Sequence, residues 1–264
     1  SRSRMGFEAM TESVLDGFDP MGRVQGKRRV AIAAQGLSFS YPDQAHVLCD
    51  ISLTVQEGER VGIIGHNGCG KTTLFMLLCG VLAPAIGTIS LFGKSLKPGQ
   101  FRPEVGLLFQ DPDDQLFSAS VWDDIAFGPQ NMGFSPEEVQ ARVNHAAEMT
   151  ATTHLLGRLP HHLSGGEKQM VAIAGLLAMT PTILLCDEPT ASLDLRTRRR
   201  LIRFLQSSSE TLMISSHDLE FVLEVCDRTL LIDEGRIIAD GSPREVMGNQ
   251  ALMEAHGLEK PYSL

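Results

Sequence analysis

Nine residues constrain this chain more than any others: Gly65-His66-Asn67-Gly68-Cys69-Gly70-Lys71-Thr72-Thr73, which reads G-x-x-x-x-G-K-[ST]. Before them, Arg60-Val61-Gly62-Ile63-Ile64 is an apolar run short enough to be a buried strand. After them, Thr73 to Leu78 holds no breaker and reads as a helix. That strand–loop–helix context is what makes the pattern a phosphate-binding loop. Its glycines let successive backbone N–H groups converge on an anion. The helix behind adds the positive end of its dipole. Lys71 can then reach β- and γ-phosphates, and the Thr72 hydroxyl can ligate Mg²⁺. Taken alone, the motif also fits a glycine turn feeding an ordinary helix. The rest of the chain narrows the choice.

A length of 264 residues suits one large α/β domain with room for an inserted subdomain. Apolar residues make up 43% of the chain, enough for a sizeable core. A net charge of −9 argues against a nucleic-acid footprint over the whole surface. No apolar run approaches a membrane span and no charged-then-apolar leader pattern is visible, so any role at a membrane needs a separate membrane partner. Cys49, Cys69, Cys79, Cys186 and Cys226 form no C-x-x-C pair, which points to a reduced, cytoplasmic chain. Residues 1–27 carry no regular period and read as a flexible arm or cloning remnant.

Val30–Ala34 and Leu37–Tyr41 read as strands broken by Gly36 and ended by Pro42, and Ile51–Val55 alternates with period two. They predict a small antiparallel β layer beside the loop. Tyr41 is placed either to stack on a base or to pack on that layer's edge. Gly87–Gly93 reads as another strand, and Val105–Phe109 as a buried strand ending at Gln110. Strands alternating with helices predict a parallel sheet with its ligands at the carboxyl ends. Gln110 there can ligate Mg²⁺, hydrogen-bond an attacking water, or be a solvated loop residue.

From Asp111 to Leu163 the sheet pattern stops. Val121–Phe127 reads as a short amphipathic helix in which Trp122 is core. Ser135-Pro136-Glu137-Glu138 is a capped helix start. Ser164-Gly165-Gly166 precedes a long apolar helix, Met170 to Met179, and offers a second anion-binding start. His161-His162 beside it are adjacent loop residues rather than a metal pair. Thr182–Glu188 is a buried strand ending in two acids, costly unless a cation or hydrogen bonds hold them. That places Asp187 on Mg²⁺ through water and Glu188 on the attacking water. The following arginine run (Arg196, Arg198, Arg199, Arg200, Arg203) reads as a solvated helix face. Thr211–Ser215 is one more buried strand, after which His217 reaches the same sheet edge, placed either to contact a γ-phosphate or to pack there.

The phosphate loop, Gln110, Leu163-Ser164-Gly165-Gly166-Glu167, Cys186-Asp187-Glu188, Ser192-Leu193-Asp194 and His217 resemble, in this order, the ATP-binding subunits of ABC transporters. The resemblance covers roughly residues 28–245. It implies a P-loop NTPase core: a mostly parallel sheet, an antiparallel β layer and an inserted α-helical subdomain at about 111–180, within an ATPase domain of 28–264. It implies Walker A, Q-loop, signature, Walker B, D-loop and H-loop roles respectively, with Glu188, His217 and Gln110 catalytic. ATP would lie on Tyr41 and Gly65 to Thr73, and Mg²⁺ on Thr72, Gln110 and Asp187. Ser164, Gly165 and Gly166 would close on the ATP of a second ATPase subunit, with a homodimer favoured.

Gln110-Asp111-Pro112-Asp113-Asp114-Gln115-Leu116-Phe117 is more narrowly similar to the ATPases of energy-coupling-factor importers, including the cobalt and nickel systems. That likeness, with the short C-terminus after Gly241, implies an ATP-hydrolysing subunit powering import of cobalt or nickel. The alternatives are vitamin import through the same kind of transporter, or a non-transport ABC ATPase. The implied partners are a transmembrane scaffold protein docking near Gln110 and Phe117 and a separate substrate-capture membrane subunit, with no nucleic acid. The implied place is peripheral, on the cytoplasmic face of a bacterial cell membrane. Two positions depart from the family pattern: Cys186 replaces an aliphatic residue, and Met170 an arginine.

Overall fold

The structure is a computed structural model describing residues 29–191 and 193–264; the expected arm at 1–27 and Ser192 of the D-loop segment lie outside the described residues. Strands β1 (Val30–Tyr41) and β2 (Gln44–Gln56) form a hairpin. β3 (Arg60–Ile64) then runs through the phosphate loop into α1 (Lys71–Leu78). β4 (Ile86–Leu91) and β5 (Lys94–Ser95) complete a four-stranded antiparallel sheet in the order β2-β1-β4-β5. After β6 (Val105–Leu108) come three helices in succession, α2 (Val121–Asn131), α3 (Pro136–Met149) and α4 (Gly165–Ala178). The chain continues through β7 (Ile183–Asp187), α5 (Leu195–Ser207), β8 (Thr211–Ser215) and α6 (Leu219–Val225). It closes with β9 (Arg228–Asp233), β10 (Arg236–Gly241), α7 (Pro243–Gly248) and α8 (Gln250–Ala255).

The second sheet has the order β10-β9-β3-β8-β7-β6. β3 lies parallel to β8 and β9, and β7 parallel to β8 and β6, while β10 adds an antiparallel edge. Its central strands are apolar along their whole length because both faces are covered. On β7, Ile183 and Leu185 face α1 and the antiparallel sheet, while Leu184 and Cys186 face the core under α4 to α6. β8 and β9 divide in the same way. α1 is thus packed between two sheets, and the loop feeding it is held at the carboxyl ends of β3, β7 and β8.

Three local expectations are corrected. Gly36 does not break β1: the register against β2 shifts between Ala34 and Leu37, and Gly36 sits in the bulge at φ 59. A left-handed glycine absorbs the extra residue while the ladder resumes on either side. α2 runs past Phe127 to Asn131 with Pro129 inside it. Pro129 forfeits an N–H bond, but its ring is buried. α4 begins at Gly165, not at Met170, because Ser164 caps it and Glu167 closes a capping box.

The β3–α6 contact is tight. A Cβ at Gly62 would lie 2.5 Å from Val222 Cγ1 and 3.2 Å from Cys226 Sγ. We predict that Gly62→Ala costs about 1–3 kcal/mol through overpacking, lowering the thermal melting point by several degrees. Val222→Ala in the same chain should recover part of that loss, read by thermal unfolding of the single and double variants.

Candidate functional site

Five separate segments meet in one cleft lined by Tyr41, Gln44, Val47, Asn67, Gly68, Gly70, Lys71, Thr72, Thr73, Gln110, Asp187, Glu188 and His217. The parallel order β3-β8-β7-β6 makes this possible, since each strand delivers its carboxyl end to the same edge. Gly70 caps α1 at φ 104 with no side-chain hydrogen bond, leaving that end of the helix without a side-chain acceptor. The loop is also packed too closely for side chains at its glycines. A Cβ at Gly65 would lie 2.2 Å from Ile232 O, and one at Gly70 2.8 Å from Val47 O.

Lys71 is buried, and its Nζ donates to the carbonyls of Gly65 (2.8 Å) and His66 (3.1 Å), so the lysine braces the loop that surrounds it. Tyr41 packs on the edge of the β layer and also lines the cleft. Its ring packs edge-on against Phe39 at 4.9 Å, lines the cleft, and brings its hydroxyl within 3.3 Å of Thr73 Oγ1. His66 and Cys69, both expected at the nucleotide, do not turn their side chains to the cleft. The His66 ring goes to Asp233, and the Cys69 thiol is buried, where desolvation raises its pKa.

The two acids share the cleft because of a backbone irregularity. Neighbours on a strand point to opposite faces. Glu188 leaves β7 at φ 46, a left-handed conformation that non-glycine residues seldom adopt, and so turns to the same side as Asp187. Its N–H donates to Ser215 O at 3.0 Å. Asp187 accepts from Thr72 Oγ1 at 2.5 Å and, on its other oxygen, from the Ser215 hydroxyl. Glu188 Oε2 receives His217 Nδ1 at 2.7 Å and the His217 backbone N–H at 3.1 Å. Glu188 Oε1 is buried without a hydrogen-bond partner, 4.0 Å from Lys71 Nζ.

Among the described residues no group of three or more His, Cys, Asp and Glu side chains is arranged to hold a metal. The Thr72 hydroxyl, an Asp187 carboxylate oxygen and the Gln110 amide oxygen nonetheless make an all-oxygen set on one cleft. That fits a hard cation such as Mg²⁺ completing its shell with phosphate oxygens and water.

Ser164 and Gly166 line a different concavity, with Asp194, Arg196, Thr197 and Arg200. There the Ser164 N–H and hydroxyl both donate to Glu167, and those bonds hold its carboxyl below the usual range. Met170, where the family pattern has an arginine, is buried in the helical core. An apolar groove lies beside the cleft: Phe117 and Phe127 meet edge-on at 5.0 Å, over Leu116, Leu176 and Met179. Phe101 and Phe117 there are 65% and 67% exposed, large for phenylalanines and therefore informative. The sequence reasoning missed Gln44, Val47 and Ser215. Gln44 and Val47 precede the alternating run Ile51–Val55, and Ser215 ends a run read only as a buried strand, so neither pattern marked Gln44 and Val47 as cleft-lining or Ser215 as a partner of the acids.

A family profile described as ABC transporter matches residues 48–191. A Synechocystis sp. protein, provisionally named an ABC transporter ATP-binding protein, is 67% identical over 234 residues, covering 89% of this chain and 82% of its own. The energy-coupling factor transporter ATP-binding protein EcfA of Methanothermobacter thermautotrophicus is 44% identical, over 87% of this chain and 76% of its own. Among solved structures, cbiO1 from Clostridium perfringens, part of the ABC transporter complex cbiONQ, superposes with a TM-score of 0.76 at 36% identity. That match covers 86% of this chain and 94% of the other.

Ser215 holds both acids, through its hydroxyl on Asp187 and through its carbonyl and hydroxyl on the Glu188 N–H. Ser215→Ala should cost about 1–3 kcal/mol by leaving a buried carboxylate oxygen short of a donor. Denaturant unfolding at neutral pH checks this, as a lower midpoint at unchanged slope.

Proposed function

This chain belongs to the ATP-binding subunits of ABC transporters, of the energy-coupling-factor type, and on that premise we propose that it powers import of a transition-metal ion, cobalt or nickel. The observation that carries the hydrolytic part is Glu188. Its Oε1 is buried, unpaired and beside the phosphate-loop lysine. A buried carboxylate oxygen without a donor is costly, and a water poised to attack the γ-phosphate would supply that donor.

In this reading the adenine stacks on Tyr41 and the phosphates lie on the loop from Gly65 to Thr73. His66 and Cys69 contribute backbone N–H groups only. Lys71 exchanges its two loop carbonyls for β- and γ-phosphate oxygens. Glu188 takes the proton of the attacking water at Oε1, while His217, on Oε2, holds the carboxylate in place and turns its free ring nitrogen to the γ-phosphate. Gln110 orients the water or completes the cation shell. Thr72, Asp187 and Gln110 would hold Mg²⁺, whose chemistry is neutralisation of the charge on the phosphate oxygens.

Ser164 and Gly166 line a concavity separate from this cleft, so Ser164 to Gly166 would serve the ATP of a second, head-to-tail subunit. There the α4 N-terminus would supply positive field to the γ-phosphate. A homodimer meets this requirement with one chain. The apolar groove at Phe117 takes the cytoplasmic helices of a transmembrane scaffold, and a separate membrane subunit captures the ion. No helix among the described residues is long and apolar enough to cross a membrane. Association at the cytoplasmic face of the cell membrane would therefore run through those partners. The metal assignment rests on the likeness of Gln110–Phe117 to the cobalt and nickel ATPases, and the match to an ATPase of the cbiONQ complex agrees with it.

Glu188→Gln should bind ATP and dimerise while its turnover falls by about a hundredfold or more; brisk hydrolysis rejects the general-base role. Lys71→Ala should lose tight ATP binding, measured by fluorescent-nucleotide titration. Cells carrying this chain with its membrane subunits should accumulate radiolabelled cobalt or nickel and lose that uptake with Glu188→Gln. Uptake of a vitamin in its place would reject the metal reading.

A further inference from the structure

His66 belongs to the phosphate loop, yet its ring leaves the cleft. Nδ1 lies 2.7 Å from the Asn67 carbonyl oxygen, and Nε2 lies 2.8 Å from Asp233 Oδ1. A carbonyl and a carboxylate both accept, so each contact is a hydrogen bond when the ring nitrogen facing it donates. Asp233 ends β9 and accepts the Glu234 N–H on Oδ1 at 2.9 Å. Its Oδ2 faces His256 Nδ1 at 2.7 Å, and His256 caps the end of α8. The His256 hydrogen bond, aided by His66 and opposed by burial, holds the Asp233 carboxyl below its usual range.

The contact with Asn67 bears on how the loop binds an anion. In a trans peptide the C=O and N–H point to opposite sides. The Asn67 carbonyl held by the His66 ring therefore directs the N–H of Gly68, in the same peptide, the other way. Gly68 lines the cleft at φ 84, and nothing lies within 4 Å of where its Cβ would be. No wall of side chains fixes that peptide; the histidine does. Flipped, it would present a carbonyl oxygen to a phosphate, a repulsive arrangement.

We propose that Asp233 and His256 are positioning residues for nucleotide binding, acting through His66 to keep the Asn67–Gly68 peptide in its anion-receiving orientation and so tying ATP affinity to helix α8. This rests on the reading that Gly65 to Thr73 receives the phosphates of ATP. Asp233 ends the strand against which Gly65 already packs, so the loop is held there both by backbone contact and by charge. The charged and titratable groups facing His66 are Asp233 from β9 and, behind it, His256 from α8. Within the loop, Lys71 Nζ donates to the His66 carbonyl, and the buried Cys69 thiol feels both Lys71 and Asp233.

The test measures ATP affinity and steady-state turnover of the full chain for Asp233→Asn, His256→Leu, His256→Asn and Lys71→Ala, with thermal melting of each. Asp233→Asn and His256→Leu should weaken ATP binding about tenfold and raise KM in parallel, leaving kcat within about twofold. His256→Asn keeps an N–H near the Nδ1 position and should recover most of the affinity. Wild-type affinity in Asp233→Asn or in His256→Leu, or equal losses in the two His256 variants, overturns the proposal. If Asp233→Asn fails to fold, the His256 pair decides alone. Lys71→Ala separates the two levels: if it loses ATP while the other variants bind normally, only the fastening fails. If Lys71→Ala itself binds tightly, the phosphate-loop reading fails and the proposal with it.

Discussion

Two neighbouring carboxylates, Asp187 and Glu188, are kept out of water at one edge of a parallel sheet, and most of the architecture serves that constraint. Burying a charge is tolerable only with partners in place. Asp187 finds them in Thr72 at the start of α1 and Ser215 at the end of β8. Glu188 finds them in His217, just beyond β8, on one oxygen only. β3, β8 and β7 must therefore lie side by side and parallel. The left-handed turn at Glu188 is the local strain that lets both acids face one cleft.

The phosphate loop shows the complementary device. It has backbone N–H groups to offer an anion, and in this structure its carbonyls are turned to other partners. Lys71 takes those of Gly65 and His66, and the His66 ring takes that of Asn67. A loop rich in glycine has little stiffness of its own, so its shape comes from these contacts and from the walls at Ile232 and Val47. The cleft and the apolar groove meet across a short distance in sequence: Gln110 lines the cleft, and Phe109 next to it lines the groove.

Much of the fold was legible because buried parallel strands write themselves as short apolar runs. Arg60–Ile64, Thr182–Asp187 and Thr211–Ser215 could hardly be read otherwise. Capping residues did the same for α3, whose Ser135–Glu138 box is present as expected. The misreadings came where tertiary contacts outweigh local propensity. Gly36 reads as a breaker but is absorbed by a bulge, because two partner strands hold β1 on either side of it. The helix read over Val121–Phe127 runs on through Pro129 to Asn131, held by packing against α4.

By itself the sequence determined the chemistry. Glycines, a lysine and a threonine at fixed spacing, two acids ending an apolar strand, and a glutamine and a histidine after two others can serve little but a nucleotide triphosphate. Their residue types and spacings are local facts, and local facts survive in a linear string. Only the tertiary structure decided which side chains are shared between segments: Ser215 between the two acids, Val47 as a wall of the loop, and His66 turned from the phosphates to Asp233 and His256. Those partners are separated from the motifs by up to 190 positions (His66 to His256), and no pattern along the chain records a contact that only folding creates.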